Sequence, residues 1–309
     1  MKIIIDTDPG QDDAVAILLA LASPEIEVLG LTTVAGNVPL ALTSLNARKI
    51  CELAGRPDLA VHAGADRPLR RAPITAEQVH GRSGIDGPDL PEPVMALRRG
   101  HAVDFIVETL RREPPGSVTL CTLGPLTNIA LAFDRAPDIV ARVARIVAMG
   151  GGAFAGGNTT PVAEFNILVD PEAAQAVFQA GAPVTLLPLD VTHKALTRAD
   201  RVAAFRALGT PVGLATAELL DFFERFDEAK YGSDGGPLHD PCVIAWLIAP
   251  EIFGGRDVNL EVETESPLTL GQTVVDWWGV TDRPRNVHFI REIDDDAFFA
   301  LLTERLARL

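Results

Sequence analysis

Residues 2–22 read KIIIDTDPGQDDAVAILLALA, and the fold is decided there. Lys2–Ile5 is a short β-branched run of strand type, and Ala14–Ala22 is a mostly apolar run of helical length. The eight residues between Asp6 and Asp13 carry four carboxylates, Asp6, Asp8, Asp12 and Asp13. An acidic tip therefore stands where a strand ends and a helix begins.

The same alternation repeats along the chain. Ile26–Val34, Val118–Thr122, Val143–Met149 and Val184–Leu187 read as strands. Pro39–Ala54, His101–Arg112, Pro125–Phe133 and Pro171–Ala180 read as helices. Continuous apolar strands separated by helices predict a parallel sheet covered on both faces. The expectation is an α/β fold: a single-domain, open, mostly parallel, doubly wound (Rossmann-like) sheet with helices on both faces. Ligands of such sheets bind beyond the carboxyl ends of the strands. Two segments break the rhythm: the Pro-, Gly- and Arg-rich stretch Gly64–Gly100, and Glu228–Pro241, which follows the long helical run Pro211–Arg225. Loops of this length inside a compact domain are often functional. There is no internal repeat and no linker-like composition, so residues 1–309 read as one domain, with Leu260–Leu309 as strands followed by a closing helix from Asp294.

Composition narrows the partners. Of 309 residues, 47% are hydrophobic and 22% charged, which suffices for a packed core. Against 27 basic residues stand 42 acidic ones, a net charge of −15 that repels phosphate backbones and anionic lipid. The expected partner is a neutral small molecule or a bound cation, with no nucleic acid and no membrane. Cys51, Cys121 and Cys242 show no Cys-x-x-Cys spacing, which argues against a disulfide framework or a zinc site and fits a reducing compartment. The N-terminus meets Asp6 after three apolar residues, unlike a signal peptide, and the best apolar run, Cys242–Ala249, is too short to span a bilayer. These features predict a cytoplasmic location.

Asp12 or Asp13 suits the amino end of the following helix as a cap or as a charge on its dipole. One cap needs one carboxylate, however, and unit charges about 4 Å apart repel by roughly 4 kcal/mol at an effective dielectric of 20. A cation relieves that repulsion, and oxygen-only donors suit Ca²⁺ or Mg²⁺ rather than zinc. A twelve-residue EF-hand loop starting at Asp6 would end at Ile17, where a bidentate Glu is required, so that motif is excluded. An Asp-x-Asp phosphatase of the haloacid-dehalogenase type is a rival, but Gly10 follows Asp6-Thr7-Asp8-Pro9 where that pattern asks for Thr or Val.

The string DTDPGQDDAVA, Asp6–Ala16, closely resembles the opening signature of the inosine–uridine-preferring nucleoside hydrolases, which cleave the N-glycosidic bond of ribonucleosides. Further strings match in order. Ala35-Gly36-Asn37 reads on its own as a turn; the resemblance puts Asn37 beside the attacking water and the sugar. His80-Gly81-Arg82-Ser83-Gly84 reads as loop; the resemblance puts His80 over the base. Leu123-Gly124-Pro125-Leu126-Thr127-Asn128 reads as a strand-to-helix turn with Pro125 set for the first helical turn; the resemblance turns the Leu123 carbonyl toward a metal. Gly150-x-Gly152-x-x-Ala155 fits a loose dinucleotide fingerprint, but it leads into Gly156-Gly157-Asn158 rather than a helix, so nicotinamide binding is rejected. Asn158, Glu164 and Asn166 offer donors and acceptors for ribose hydroxyls, with Phe165 as a shield, and they match the family's ribose set. In Tyr231–Pro241, Asp240 before Pro241 is a good helix cap, and the resemblance also makes it a calcium ligand. It likewise implies that His239 protonates the leaving base. His193, in Leu189-Asp190-Val191-Thr192-His193, is assigned a structural role.

The resemblance thus implies hydrolysis of ribonucleosides to ribose and free base, with Ca²⁺ held by Asp8, Asp13, Asp240 and the Leu123 carbonyl. Asp8 is the expected general base, and Asp12 the expected ligand of a ribose hydroxyl. A homodimer or homotetramer is also implied. Phe222, Phe223, Phe226 and Tyr231 are candidate base contacts, although their helical spacing fits core packing equally well. A magnesium-dependent phosphatase and a non-catalytic nucleoside- or ribose-binding protein remain as alternatives.

Overall fold

Ile3 and Ile5 pack into one apolar layer and Ile4 into another, and all three are fully buried. This is the period of two expected for a strand covered on both sides. That strand, β1 (Lys2–Thr7), lies in a nine-stranded sheet with β2 (Glu27–Thr33), β3 (Val61–Ala63), β4 (Val118–Thr122), β5 (Val143–Met149), β6 (Val184–Leu187), β7 (Phe253–Val262), β8 (Thr273–Asp276) and β9 (Val287–Ile293). The order in space is β3-β2-β1-β4-β5-β6-β9-β7-β8. Seven strands run parallel, and β7 and β8 add an antiparallel edge. The computed structural model describes residues 1–231 and 235–309, with side chains described outside 226–234.

The helices divide between the two faces. Gln11–Leu21, Leu40–Leu53, Pro241–Ile248 and Asp295–Leu306 supply Ile17, Ile50, Val243 and Phe298 to one layer. Ala102–Arg112, Thr127–Arg135 and Pro171–Phe178 supply Ile106, Ile129 and Val177 to the other. The doubly wound expectation is met. Among the described residues, no helix is long and apolar enough to cross a membrane.

The structure departs from the sequence reading in several places, among them the unread helix Ala199–Ala207 and the short helix Glu77–His80 in the stretch read as loop. Strand β3 pairs with β2 through Leu31 and Val61 but has only three residues, too few to show alternation. The helix Pro211–Tyr231 runs beyond Arg225 into the segment read as a loop from Glu228, because no Gly or Pro falls between Arg225 and Gly232. The last sheet strands begin at Phe253, ahead of Leu260.

From β1 the chain steps outward through β2 and β3, then returns to the other side of β1 with β4. A crevice opens between the carboxyl ends of β1 and β4 at this reversal. Asp6 is in register with Thr122, and the Leu123 amide donates to the Asp6 carbonyl at 2.8 Å. Asp8 and Leu123 consequently leave the sheet at the same crevice.

Candidate active site

The acidic tip is buried. Asp8 and Asp13 have no exposure, Asp12 has 5% and Asp240 3%. Carboxylate oxygens of Asp12, Asp13 and Asp240 lie within 4.8 Å of one another, Asp240 arriving at the start of the Pro241–Ile248 helix. Asp13 is fixed by the Gly10 amide at 2.9 Å and by the Thr7 hydroxyl. Asp8 stands beside this trio. Its Oδ2 accepts the Asn37 backbone N–H at 2.7 Å, and the Asn37 side chain donates to the Asp8 carbonyl at 3.1 Å and to Asp13 at 3.3 Å. Its Oδ1 is buried without a hydrogen-bond partner among the described residues. Glycines flank it closely: a Cβ on Gly36 would stand 2.0 Å from Oδ2, and one on Gly124 2.2 Å from Oδ1.

Burial, aided by neighbouring charge, makes the anionic forms costly. Burial first, then Asp13, holds the Asp8 carboxyl well above the ordinary range. Burial and then Asp13 push Asp12 up to about 8, and Asp240 is raised by burial and by Asp12, Asp13 and Asp8. Crowded, dehydrated carboxylates and an orphaned oxygen fit a hard divalent cation, which supplies the missing partner and removes the repulsion. Asp6 is separate from the trio. It faces the sheet, where Oδ1 accepts from Thr32 at 2.5 Å and from Asn128 at 2.8 Å.

A cavity of about 220 Å³ opens above the acids. Asp12, Asn37, Leu123, Asn158, Glu164, Phe165, Asn166 and Asp240 lie in its wall, as do His80 and His239. Asn166 donates to the Leu123 carbonyl at 2.7 Å, which ties the Asn158–Asn166 segment to the acidic side. Glu164 also caps the short helix Phe165–Val169, accepting the Asn166, Ile167 and Gly151 amides, while burial pushes its carboxyl up to about 7. Asn158 Oδ1 accepts the Phe165 amide at 3.1 Å. No helix forms between Gly150 and Glu164, in keeping with the rejection of a dinucleotide site.

His80 stacks on Phe223 with ring centres 5.6 Å apart, and burial lowers its imidazole to about 3. The His239 Nδ1 lies 2.7 Å from the Thr192 hydroxyl, and burial, then His193, lowers this ring well below the ordinary value. Of the four aromatic candidates for base contact, Phe223 lines the cavity. Phe222 is absent from the wall, its ring lying 5.3 Å under Arg225. The side chains of Phe226 and Tyr231 lie outside the described residues.

Residues 3–300 match the family described as inosine-uridine preferring nucleoside hydrolase. The chain belongs to this family. A pyrimidine-specific ribonucleoside hydrolase, RihA, of Salmonella agona is 50% identical, over 99% of this chain and 98% of that one. An uncharacterised protein of Schizosaccharomyces pombe is 56% identical over the whole of both chains. The solved purine-preferring ribonucleoside hydrolase of Gardnerella vaginalis superposes with a TM-score of 0.93 at 32% identity, covering 99% and 98% of the two chains. The chain is therefore a nucleoside hydrolase acting on ribonucleosides, and the phosphatase and binding-protein alternatives fall away.

This nucleoside hydrolase carries site residues that sequence reasoning missed. His193 lines the cavity, its ring centre 5.8 Å from that of His239, rather than serving only the core. Asp190 accepts the amides of Ala153, Phe154 and Ala155 at 2.7, 2.7 and 3.2 Å, and so anchors the loop that leads to Asn158. Both lie in the segment Leu189–His193, where the sequence reading assigned His193 only a structural role. Gln11, inside the acidic string, carries no charge to mark it, yet it is fully buried against His80.

Proposed function

We propose that this hydrolase cleaves the N-glycosidic bond of pyrimidine ribonucleosides in a calcium-dependent reaction. The observation that carries the reading is the buried Asp8 carboxylate, with one oxygen anchored by Asn37 and the other without a partner, beside the converging Asp12, Asp13 and Asp240. The pyrimidine preference is supported by the 50% identity to the pyrimidine-specific relative, against 32% to the purine-preferring one.

Asp8, Asp13, Asp240 and the Leu123 carbonyl are the proposed holders of Ca²⁺, which when bound polarises a water and orients the ribose 2′- and 3′-hydroxyls. Asp8 receives the proton of the attacking water. Asp12 accepts a ribose hydroxyl. Asn37 holds Asp8 in its orientation. Asn158, Glu164 and Asn166 grip the remaining sugar oxygens and favour the flattened, positively charged ring of an oxocarbenium-like transition state, while Phe165 keeps water from the ring. A departing pyrimidine anion is a poor leaving group, and His239 donates the proton that neutralises it. His80 packs over the base. One domain over residues 1–309, a homodimer or homotetramer and a cytoplasmic location complete the proposal.

The test is reducing-sugar release from uridine, cytidine, inosine, adenosine and guanosine, with and without chelator. Uridine and cytidine are expected to lead, with activity lost on chelation and restored by calcium. Release that ignores the chelator would overturn the calcium requirement, and a lead by inosine or guanosine would overturn the pyrimidine preference.

A further inference from the structure

Gln11 lies between the acidic tip and the His80 loop and makes three hydrogen bonds. Its Nε2 is 3.0 Å from the His80 carbonyl and 3.1 Å from the Asp86 carbonyl, and its Oε1 is 2.7 Å from His80 Nδ1. Carbonyls only accept, so the nitrogen of the amide must face them. The reversed amide would set an oxygen against two oxygens. Oε1 therefore faces the imidazole, and as an acceptor it requires a hydrogen on Nδ1. The neutral ring then has an unprotonated Nε2, which has no hydrogen bond among the described residues although His80 lines the cavity.

We infer that Gln11 is a positioning residue that locks His80 in the Nδ1–H tautomer, so that Nε2 meets the substrate as a fixed hydrogen-bond acceptor and delivers no proton. The substrate group it receives is an N–H or O–H donor, which a ribonucleoside carries on its base or at its 5′-hydroxyl. The arrangement separates the two histidines at the base end. His239 Nδ1 faces the Thr192 hydroxyl, which donates or accepts and so leaves that ring free to take either form. His80 faces an amide that allows one form only. Burial opposes the charged form of both rings, so the amide facing His80, not burial, distinguishes them. The substrate contact rests on the proposed reading of the cavity, whereas the tautomer does not.

The experiment is imidazole nitrogen NMR of the full chain, labelled at its six histidines, with calcium and without substrate. His80 is expected to show a protonated Nδ1 and a bare Nε2, and Gln11→Leu is expected to mix the two tautomers. A wild-type His80 protonated at Nε2, or an unchanged tautomer in Gln11→Leu, overturns the lock without touching the assignment of activity. Should Gln11→Leu fail to fold, His80→Phe tests the contact, since it retains a ring against Phe223. It is expected to raise KM for uridine by about tenfold, the loss of roughly one hydrogen bond, with kcat little changed. Loss of kcat at unchanged KM would mean that His80 delivers a proton, and would overturn the inference. The rise in KM should vanish with 5′-deoxyuridine if the 5′-hydroxyl is the donor, and persist if the donor is on the base.

Discussion

The Asn37 backbone N–H meets Oδ2 of Asp8 at 2.7 Å, while Oδ1 of the same carboxylate has no partner among the described residues. One oxygen orients the group and the other is left for chemistry. The glycines on either side make room for that carboxylate, since a Cβ on Gly36 or Gly124 would stand 2.0 or 2.2 Å from its oxygens.

Gly36→Ala tests this cradle. A Cβ 2.0 Å from Asp8 Oδ2 must displace the carboxylate, since Pro125 stands 3.0 Å away on another side. Displacement of a reacting group by about 1 Å costs on the order of 100-fold in rate. The expected result is a loss of kcat/KM of that order in a folded protein, checked by circular dichroism.

Calcium should stabilise the protein more at high pH than at low pH. The Asp12 carboxyl rises from 3.8 to about 8 on folding, and Asp8 and Asp240 rise as well. Without a cation the folded state therefore binds more protons than the unfolded chain, and these groups' contribution to stability falls as pH climbs from about 4 to about 8. A cation replaces those protons. Thermal melts at about pH 5.5 and about pH 8.5, with calcium or chelator, should show the larger calcium-induced rise in Tm at the higher pH.

His239→Ala should separate substrates by leaving group. Uridine requires a proton on its base, whereas nitrophenyl riboside does not. Uridine turnover is expected to fall by about 100-fold or more while nitrophenyl riboside is largely spared. Equal losses would contradict the leaving-group role.

Asp190→Ala should loosen the sugar side. Three amides of residues 153–155 lose their common acceptor, and because Phe154 and Ala155 are exposed, water replaces only part of what holds the loop in place. A lower Tm and a raised KM for uridine are expected, with kcat less affected because Asp8 and His239 are not touched.

Much of this was legible in the sequence. The strands β4, β5 and β6 were read to the residue, because strands buried on both faces stand out as short, mostly apolar runs between helical stretches. The acidic tip was legible because four carboxylates exceed what capping requires. Strand β3 was hidden by its length, and the end of the Pro211–Tyr231 helix by a polar stretch that reads equally well as loop. The cradle of Gly36 and Gly124 was not legible, since a close approach between β2, β4 and Asp8 exists only once the sheet has formed. Gln11 was passed over for a related reason: an amide declares its role through its partners, and His80 and Asp86 lie about seventy residues away.

The central claim is that the carboxylates at the tip of β1 bind calcium and, through it, the sugar. It is tested most directly by anomalous difference density from crystals soaked with calcium and a ribose mimic. The account predicts one peak at about 2.3–2.6 Å from oxygens of Asp8, Asp13, Asp240 and the Leu123 carbonyl, with the mimic's hydroxyls completing its shell. A pocket that holds the mimic with no ion between it and Asp8 would contradict the account.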